Sequence, residues 1–171
     1  MFSMVAAARA QWHQITVAVE TKHPNPHGLD VDRAVAHLLE GLGWDGPDSP
    51  VRMISFSAAA LALDAVLLPD LALTLLLEEL GEWADGSLPP GVTAAGPSLA
   101  LLKADPGYVD RAHAHGNEVH VWTVNDPADI AWCTALGVDA ITTDHPERLW
   151  QEPDGTSIAT VDTLDGRVVA G

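Results

Sequence analysis

The sequence lacks the features that define several large classes of protein. It has a single cysteine, Cys133, so an internal disulfide framework is excluded. It has only 8 Lys and Arg residues against 24 Asp and Glu residues, which gives a net charge of −16. Such a negative chain disfavours nucleic acid or an anionic membrane as its main partner. An anionic small molecule is still compatible, because one local cation or lysine is enough to hold it.

Long apolar runs and a basic leader are also missing. Residues 1–8 lack the basic region and the long apolar segment of a secretory signal. Residues 57–77 are the most apolar stretch, but Asp64, Pro69 and Asp70 interrupt it, which indicates a helix, a turn and a strand. With 47% hydrophobic residues, the chain can bury the core of one domain. We therefore expect a cytoplasmic protein without stable membrane insertion.

Phosphate-binding and nucleophile motifs of common enzyme families are absent as well. The sequence contains no G-x-G-x-x-G, Walker loop, G-x-S-x-G or C-x-x-C. A doubly wound module that binds a nucleotide would need a glycine-rich turn after its first strand, and none is present.

Strand-like and helix-like segments alternate along the chain. Strands are predicted at residues 15–21, 51–56, 71–77, 91–96, 118–124 and 139–143, and helices at 30–42, 58–67, 105–116 and 126–137. Asp30 is expected to cap the first helix, and Asp144 with Glu147 to begin another as a capping box. The alternation predicts a parallel sheet of about six strand–helix units. That count fits a doubly wound sheet or six-eighths of a (β/α)8 barrel, and periodicity does not choose between them.

In both architectures, ligands bind at the carboxyl ends of the strands. Glu20 and Lys22 end the first strand on one face, where a carboxylate can hold a divalent cation and an ammonium a phosphate oxygen. A solvated Glu–Lys pair is the ordinary alternative. Trp122 lies at the end of the fifth strand, where its side chain can line a site or simply pack in the core. Phe56 lies at the end of the second strand and on its own indicates no function.

The histidines give weaker signals. His113 and His115 are two residues apart on a predicted helix and point in different directions, which makes them a poor metal pair. His120 lies at the early end of a strand, away from the expected site. We interpret this cluster as structural. His23 and His27 flank the loop after the first strand and are better placed to contact a ligand, although a solvated histidine is the commoner case in such a loop.

Four segments together resemble motifs of the glycerophosphodiester phosphodiesterase family. VETKHP at 19–24 resembles its E-x-K strand, and ISF at 54–56 resembles its S-F strand. AHAHGNEVHVWTVN at 112–125 resembles A-H-x-x-G-x-x-V-x-x-W-T-V-N, and GVDAITTDHP at 137–146 resembles G-V-D-x-I-x-T-D-x-P. The order and spacing also agree, over about residues 12–150.

The resemblance implies a (β/α)8 TIM barrel that hydrolyses glycerophosphodiesters to sn-glycerol 3-phosphate and an alcohol with a divalent metal, Mg²⁺ or Ca²⁺. Carried over by residue, it implies that Glu20 is a metal ligand and that Lys22 lies near the phosphate. It also implies that Trp122 and, less directly, Phe56 line the substrate site.

The sequence departs from this family at its amino-terminal side. The family's H-R-G strand, P-E-N-T segment, E-x-D metal pair and H-D strand have no counterpart here. We therefore expect an incomplete barrel at 15–150, comprising about the last six units, with a stub at 1–14 and a tail or hairpin at 151–171. One metal ligand of three and neither catalytic histidine remain. The isolated chain is thus expected to be an inactive phosphoric diester hydrolase, with metal binding weak or absent.

Two other interpretations stay open. A non-catalytic barrel remnant or phosphate-binding module could be completed by an amino-terminal segment or another chain, or could self-associate through its open edges. A related metal-dependent lyase or phospholipase of the same superfamily would share the E-x-K and W-T-V-N segments.

Overall fold

A curled sheet of six parallel strands forms the centre of the protein, in a computed structural model that describes residues 2–11 and 15–146. The strands are β1 Val17–Glu20, β2 Val51–Ser55, β3 Ala72–Leu77, β4 Ala94–Pro97, β5 Glu118–Val121 and β6 Ala140–Ile141. Each strand pairs with the next strand along the chain. A doubly wound sheet reverses its strand order at a switch point, so this unbroken progression favours a half-barrel and decides against the doubly wound alternative.

Helices connect most of the strands. They are α1 Phe2–Gln11, α2 Asp30–Leu42, α3 Ala58–Leu67, α4 Leu99–Ala104, α5 Tyr108–Ala114 and α6 Pro127–Leu136. Local signals explain several of their ends. The Ser57 hydroxyl accepts a hydrogen bond from the third residue of α3, and the Asp126 carboxylate caps α6 ahead of Pro127. Gly43 ends α2 in the left-handed conformation, with φ of 67°.

Some sequence predictions are wrong in detail. Asp30 is not the cap of α2: Leu29 precedes the helix, and Asp30 lies in its first turn, where the positive end of the helix dipole still favours it. The helix predicted from residue 105 begins only at Tyr108, because Asp105 is the C-terminal cap of α4. Between β3 and β4, where no helix was predicted, the described chain forms a 3₁₀ turn at Gly81–Trp83.

Other expectations fall outside the described residues. Glu147 of the expected capping box and the expected tail or hairpin at 151–171 are both in this group. The helix α1 lies within the segment expected to be a stub, and the placement of the domain boundaries stays a prediction.

The core lies between the sheet and the helices. Alternate residues of each strand point to it, as the period of two requires. Its members from the strands are Val51, Met53, Leu73, Leu75, Leu77, Ala95, Val119, Val121 and Ile141, and those from the helices include Leu39, Leu61, Leu102, Tyr108 and Ile130. The other residues of each strand face the concave side: Glu20 is in register with Ile54, and Ile54 with Thr74. The concave side therefore carries the candidate site.

The single thiol belongs to this core, as the sequence predicted. Cys133 is buried, and burial raises its pKa to about 11, which suppresses thiolate chemistry. In the part of the chain that the structure describes, no helix has both the length and the apolar character needed to cross a bilayer.

Candidate functional site

Glu20 and Lys22 form an ion pair where β1 ends. The Lys22 Nζ atom lies 3.1 Å from Glu20 Oε1, and the lysine side chain is 59% exposed against 15% for the glutamate. The two residues share the concave side, as their spacing predicted. The exposed ammonium is free to approach a second anionic group, so the pair is compatible with phosphate binding as well as with a solvated ion pair.

An aromatic pair lies at the carboxyl ends of β2 and β5, on the same edge of the sheet. The rings of Phe56 and Trp122 meet edge to face, with centroids 5.5 Å apart and planes at 88°. Such a contact contributes about 0.5–1.5 kcal/mol beyond its buried area. Phe56 remains 43% exposed and Trp122 is half-buried. The two residues that the sequence singled out separately therefore form one surface, and Trp122 is not simply a core residue.

A backbone contact fixes the indole. Trp122 Nε1 donates a hydrogen bond to the Gly96 carbonyl oxygen at 2.6 Å. A side chain at position 96 would crowd β3, because a Cβ atom there would lie 2.8 Å from Leu76 Cδ2. A glycine therefore fits at this point of β4. The orientation of Trp122 is thus set by the neighbouring strand rather than by solvent.

A second polar contact joins the exits of β5 and β6. Asn125 Nδ2 donates to Asp144 Oδ2 at 2.8 Å, and Asn125 Oδ1 accepts from the Asp144 amide at 2.9 Å and from the Thr143 hydroxyl at 3.0 Å. Asp144 is therefore held by the preceding loop at the same edge of the sheet.

The loop after β1 contains an interaction that the sequence analysis missed. His23 was expected to be solvated, but its side chain is 11% exposed and its Nε2 atom lies 3.0 Å from Asp32 Oδ2. Asp32 is fully buried on α2. A signal was present, because Asp32 occupies the same helical face as the core residues Ala36 and Leu39.

A second buried carboxyl group lies on α3. Asp64 is fully buried, and neither of its oxygens has a hydrogen-bond partner within the described residues. Removal from solvent, and secondarily the charge of Asp32, raises the pKa of Asp64 to about 7. Asp64 is therefore largely protonated in mildly acidic solution.

A polar network occupies the opposite, amino end of the concave side. Arg52 donates from Nη1 to the Thr74 hydroxyl at 3.1 Å and from Nη2 to Glu118 Oε2 at 3.0 Å. His120 Nε2 is 2.9 Å from the same Glu118 oxygen. Burial, and secondarily the Arg52 charge, lowers the pKa of His120. This end of a barrel contributes to stability rather than to chemistry.

The neighbouring His113 is also engaged in a structural contact. Its Nε2 atom lies 2.8 Å from Asp139 Oδ2, an oxygen that also accepts from the Val119 amide at 2.7 Å. The pair joins α5 to the segment before β6. These contacts agree with the structural interpretation of the histidine cluster.

The described side chains do not fit a divalent metal ion by themselves. Across residues 2–11 and 15–146, no three His, Cys, Asp or Glu side chains converge as metal ligands. Glu20 offers a single carboxylate, and one of its oxygens already pairs with Lys22. Mg²⁺ and Ca²⁺ take six or more oxygen ligands, which this edge does not supply alone.

Comparison with known proteins identifies relatives of this arrangement. The profile of the Glycerophosphoryl diester phosphodiesterase family matches residues 5–148. Probable glycerophosphodiester phosphodiesterase 1 of Mycobacterium tuberculosis is 39% identical over 161 residues, which cover 87% of this chain and 57% of that protein. The chain therefore spans a little over half the length of the curated relatives that it matches.

Solved structures share the fold. A glycerophosphodiester phosphodiesterase from Parabacteroides distasonis has a TM-score of 0.67 at 25% identity, covering 86% of this chain and 60% of that one. A putative glycerophosphoryl diester phosphodiesterase from Silicibacter pomeroyi has a TM-score of 0.69 at 24% identity, covering 87% and 54%. A phosphodiesterase from Oleispira antarctica, solved with the product sn-glycerol-3-phosphate, has a TM-score of 0.68 at 19% identity, covering 82% and 56%.

Proposed function

Because the chain belongs to the glycerophosphoryl diester phosphodiesterase family, we propose that its carboxyl edge serves the hydrolysis of glycerophosphodiesters to sn-glycerol 3-phosphate and an alcohol. The observation that carries the proposal is the grouping of an ion pair and an aromatic surface at one edge of the sheet. The ion pair is Glu20–Lys22, and the surface is formed by Phe56 and Trp122.

Each residue has a distinct proposed role. Lys22 stabilises the negative charge of the phosphodiester, since its ammonium is exposed and held in place by Glu20. Trp122 and Phe56 offer an apolar surface for the carbon atoms of the substrate. In a complete site, Glu20 would supply one carboxylate to Mg²⁺ or Ca²⁺. The alcohol that leaves is not specified by these contacts, and cytoplasmic location stays a prediction.

We propose that the active form is a complete (β/α)8 barrel and that the described half is inactive alone. Hydrolysis needs proton transfer to the leaving oxygen as well as charge stabilisation. The family's two histidine-bearing motifs have no counterpart in this sequence. All four residues of β1 are only half-buried, whereas four of the five in β2 are buried, as expected for a strand at an open edge. The alternative is a non-catalytic remnant that retains phosphate binding.

The experiment is a complementation assay. The chain is incubated with glycerophosphocholine and Mg²⁺ or Ca²⁺, alone and together with the portion of the M. tuberculosis relative that it does not match. Formation of sn-glycerol 3-phosphate is then measured. We expect no turnover by the chain alone and turnover by the mixture. Phosphate binding without turnover in the mixture would favour the non-catalytic remnant.

Matched variants connect this assay to the site. Lys22→Ala should reduce kcat/KM by about 10²–10³, the loss expected for one charge-stabilising donor. Lys103→Ala removes the same charge from α4, where the lysine pairs with Asp129, and should leave turnover unchanged. Glu20→Gln should weaken the metal dependence, whereas Glu40→Gln on the exposed side of α2 should not. Equal behaviour of Lys22→Ala and Lys103→Ala would contradict the proposed site.

A further inference from the structure

One side-chain amide organises the loop that carries Lys22. Asn25 Nδ2 donates to the Lys22 carbonyl oxygen at 2.8 Å and to the Gly28 carbonyl oxygen at 3.3 Å. Asn25 Oδ1 accepts from the His27 amide at 2.8 Å. Both ends of the loop are therefore tied to one residue, and the backbone position of Lys22 depends on the orientation of Asn25.

His23 links this amide to the protein interior. Its Nδ1 atom lies 3.3 Å from Asn25 Nδ2. The two amide protons are shared among Nδ1 and the two carbonyl oxygens, so Nδ1 can only accept from this group. The ring proton of a neutral histidine then resides on Nε2, which faces a carboxylate that can only accept. That atom forms a hydrogen bond with Asp32 Oδ1 at 3.4 Å and lies 3.0 Å from Asp32 Oδ2. The contacts thus select the Nε2–H tautomer, which donates to the carboxylate.

Asp32 gives this contact its strength. Its carboxylate is fully buried in the first turn of α2, where the helix dipole favours negative charge. A buried carboxylate without hydrogen-bond donors is strongly destabilising. Within the described part of the chain, His23 is the side chain that pairs with Asp32. Separating the two would leave a buried charge unpaired, so the histidine is held firmly.

We propose that His23 is a positioning residue for Lys22. The Asp32–His23–Asn25 relay, defined by these three side chains, fixes the backbone of the lysine, while Glu20 holds its ammonium. The relay is defined by the observed contacts alone. Only its role in positioning Lys22 for phosphate rests on the proposed function.

The first test measures the loop without any assay of turnover. Long-range ¹H–¹⁵N spectra should show His23 as a single Nε2–H tautomer. His23→Ala should accelerate amide exchange at positions 27 and 28 by about tenfold, the factor expected for one lost hydrogen bond. His23→Gln keeps an N–H donor near the same place and should preserve slow exchange. His27→Ala, in the same loop, is the control: it leaves the hydrogen bond from the Gly28 amide to the Asn25 carbonyl oxygen in place, so exchange at position 28, corrected for the change in intrinsic rate, should match that of the unsubstituted protein.

A mixture of tautomers, or unchanged exchange in His23→Ala, would overturn the proposal.

The second test titrates inorganic phosphate into each protein below its unfolding temperature and follows the resonances of Lys22. His23→Ala should weaken phosphate binding about fivefold and His23→Gln should restore it. A loss of stability in His23→Ala with unaltered phosphate affinity would overturn the positioning role. If the unsubstituted chain binds no phosphate, the proposed role of Lys22 is wrong. The existence of the relay is then tested by the amide exchange rates and the His23 tautomer alone.

Discussion

At the scale of single residues, Asp64 couples the stability of the protein to pH. Its pKa is about 7 in the folded protein, against an ordinary value of 3.8. The facing charged groups are Asp32 on α2 and, through it, His23. The folded state therefore binds a proton more tightly than the unfolded chain does between these two values.

The expected consequence is a loss of stability as pH rises. The contribution of Asp64 is fully present below about pH 4 and is lost as pH rises through about 7. About three pKa units correspond to as much as about 4 kcal/mol. Urea unfolding should therefore give a lower unfolding free energy at pH 8 than at pH 5.

The variant Asp64→Asn isolates this effect. It is neutral at every pH, so it should flatten the decline between pH 5 and pH 8 and be more stable than the unsubstituted protein at pH 8. The control is Asp70→Asn, at an exposed carboxyl group just after α3. An equal decline in Asp64→Asn would show that another group causes the pH dependence.

Trp122 provides a second test at this scale. Trp122→Phe keeps a ring against Phe56 but removes the hydrogen bond to the Gly96 carbonyl oxygen. We expect an unfolding free energy lower by about 1–2 kcal/mol, because that oxygen loses its donor. Trp132→Phe is the control: in the described residues Trp132 packs against the core and donates no hydrogen bond from its indole. Equal losses in urea unfolding would mean that packing alone holds Trp122.

At the scale of elements, the connection between β3 and β4 is bound tightly to α5. Arg111 Nε donates to the Ala84 carbonyl oxygen at 2.7 Å, and Asn117 Nδ2 donates to the Gly86 carbonyl oxygen at 2.8 Å. Gly86 has a φ of +89° and lies directly against the backbone of Arg111 and Ala112. Only glycine fits there, because both its backbone conformation and its close approach exclude a side chain.

Two glycine substitutions should therefore have opposite effects. Gly86→Ala should lower the unfolding free energy by about 2–4 kcal/mol, since its Cβ would lie 2.5 Å from the Ala112 amide nitrogen. Gly41→Ala, in α2 with nothing within 4 Å of the added atom, should raise it by about 0.5–1 kcal/mol. Thermal and urea unfolding of both variants measure the difference. A stable Gly86→Ala variant would show that the loop can separate from α5.

The elements that sequence predicted best have local signals at both ends. Helix α3 has the predicted bounds, because Ser57 caps its start and Pro69 follows its end. Helices α1 and α4 were missed, and α4 is only six residues long. The strand β6 is shorter than predicted, since pairing with β5 includes only Ala140 and Ile141.

Some contacts of the candidate site follow from local sequence, and others depend on how distant elements pack. Glu20 and Lys22 could be placed together because residues two apart on a strand share a face. The contact of Phe56 with Trp122 joins strands β2 and β5, which no local pattern predicts. The pairing of His23 with Asp32, and the proximity of Asp64, depend on how α2 and α3 pack, so they required the structure.

At the scale of the whole molecule, the edge of β1 is open in the described residues. The Val17 and Thr21 amides donate to residues 50 and 54 of the β2 side at 2.7 and 3.1 Å. The alternating geometry of a strand then directs the amides of Ala18 and Glu20 to the opposite side. An open row of such groups can pair with another chain.

Self-association through this edge should depend on salt. The net charge of −16 keeps chains apart at low ionic strength. We expect sedimentation velocity to show monomers at about 0.01 M salt and association at about 0.5 M, where charge is screened over a few ångströms. Ala18→Pro removes an amide that the sheet does not use, and should remain monomeric. The unfolding free energy of the variant shows whether it is still folded. Association of a folded Ala18→Pro protein would mean that the chains associate through a surface other than the β1 edge.

The in-order pairing of β1 to β6 bears on how the chain is synthesised. Each new strand finds its partner in the one that left the ribosome just before it, so the sheet can lengthen as translation proceeds. No strand in the described sheet has to be inserted between two that have already paired. A pause in translation at any connection would therefore leave a shorter sheet of the same form rather than an unpaired interior.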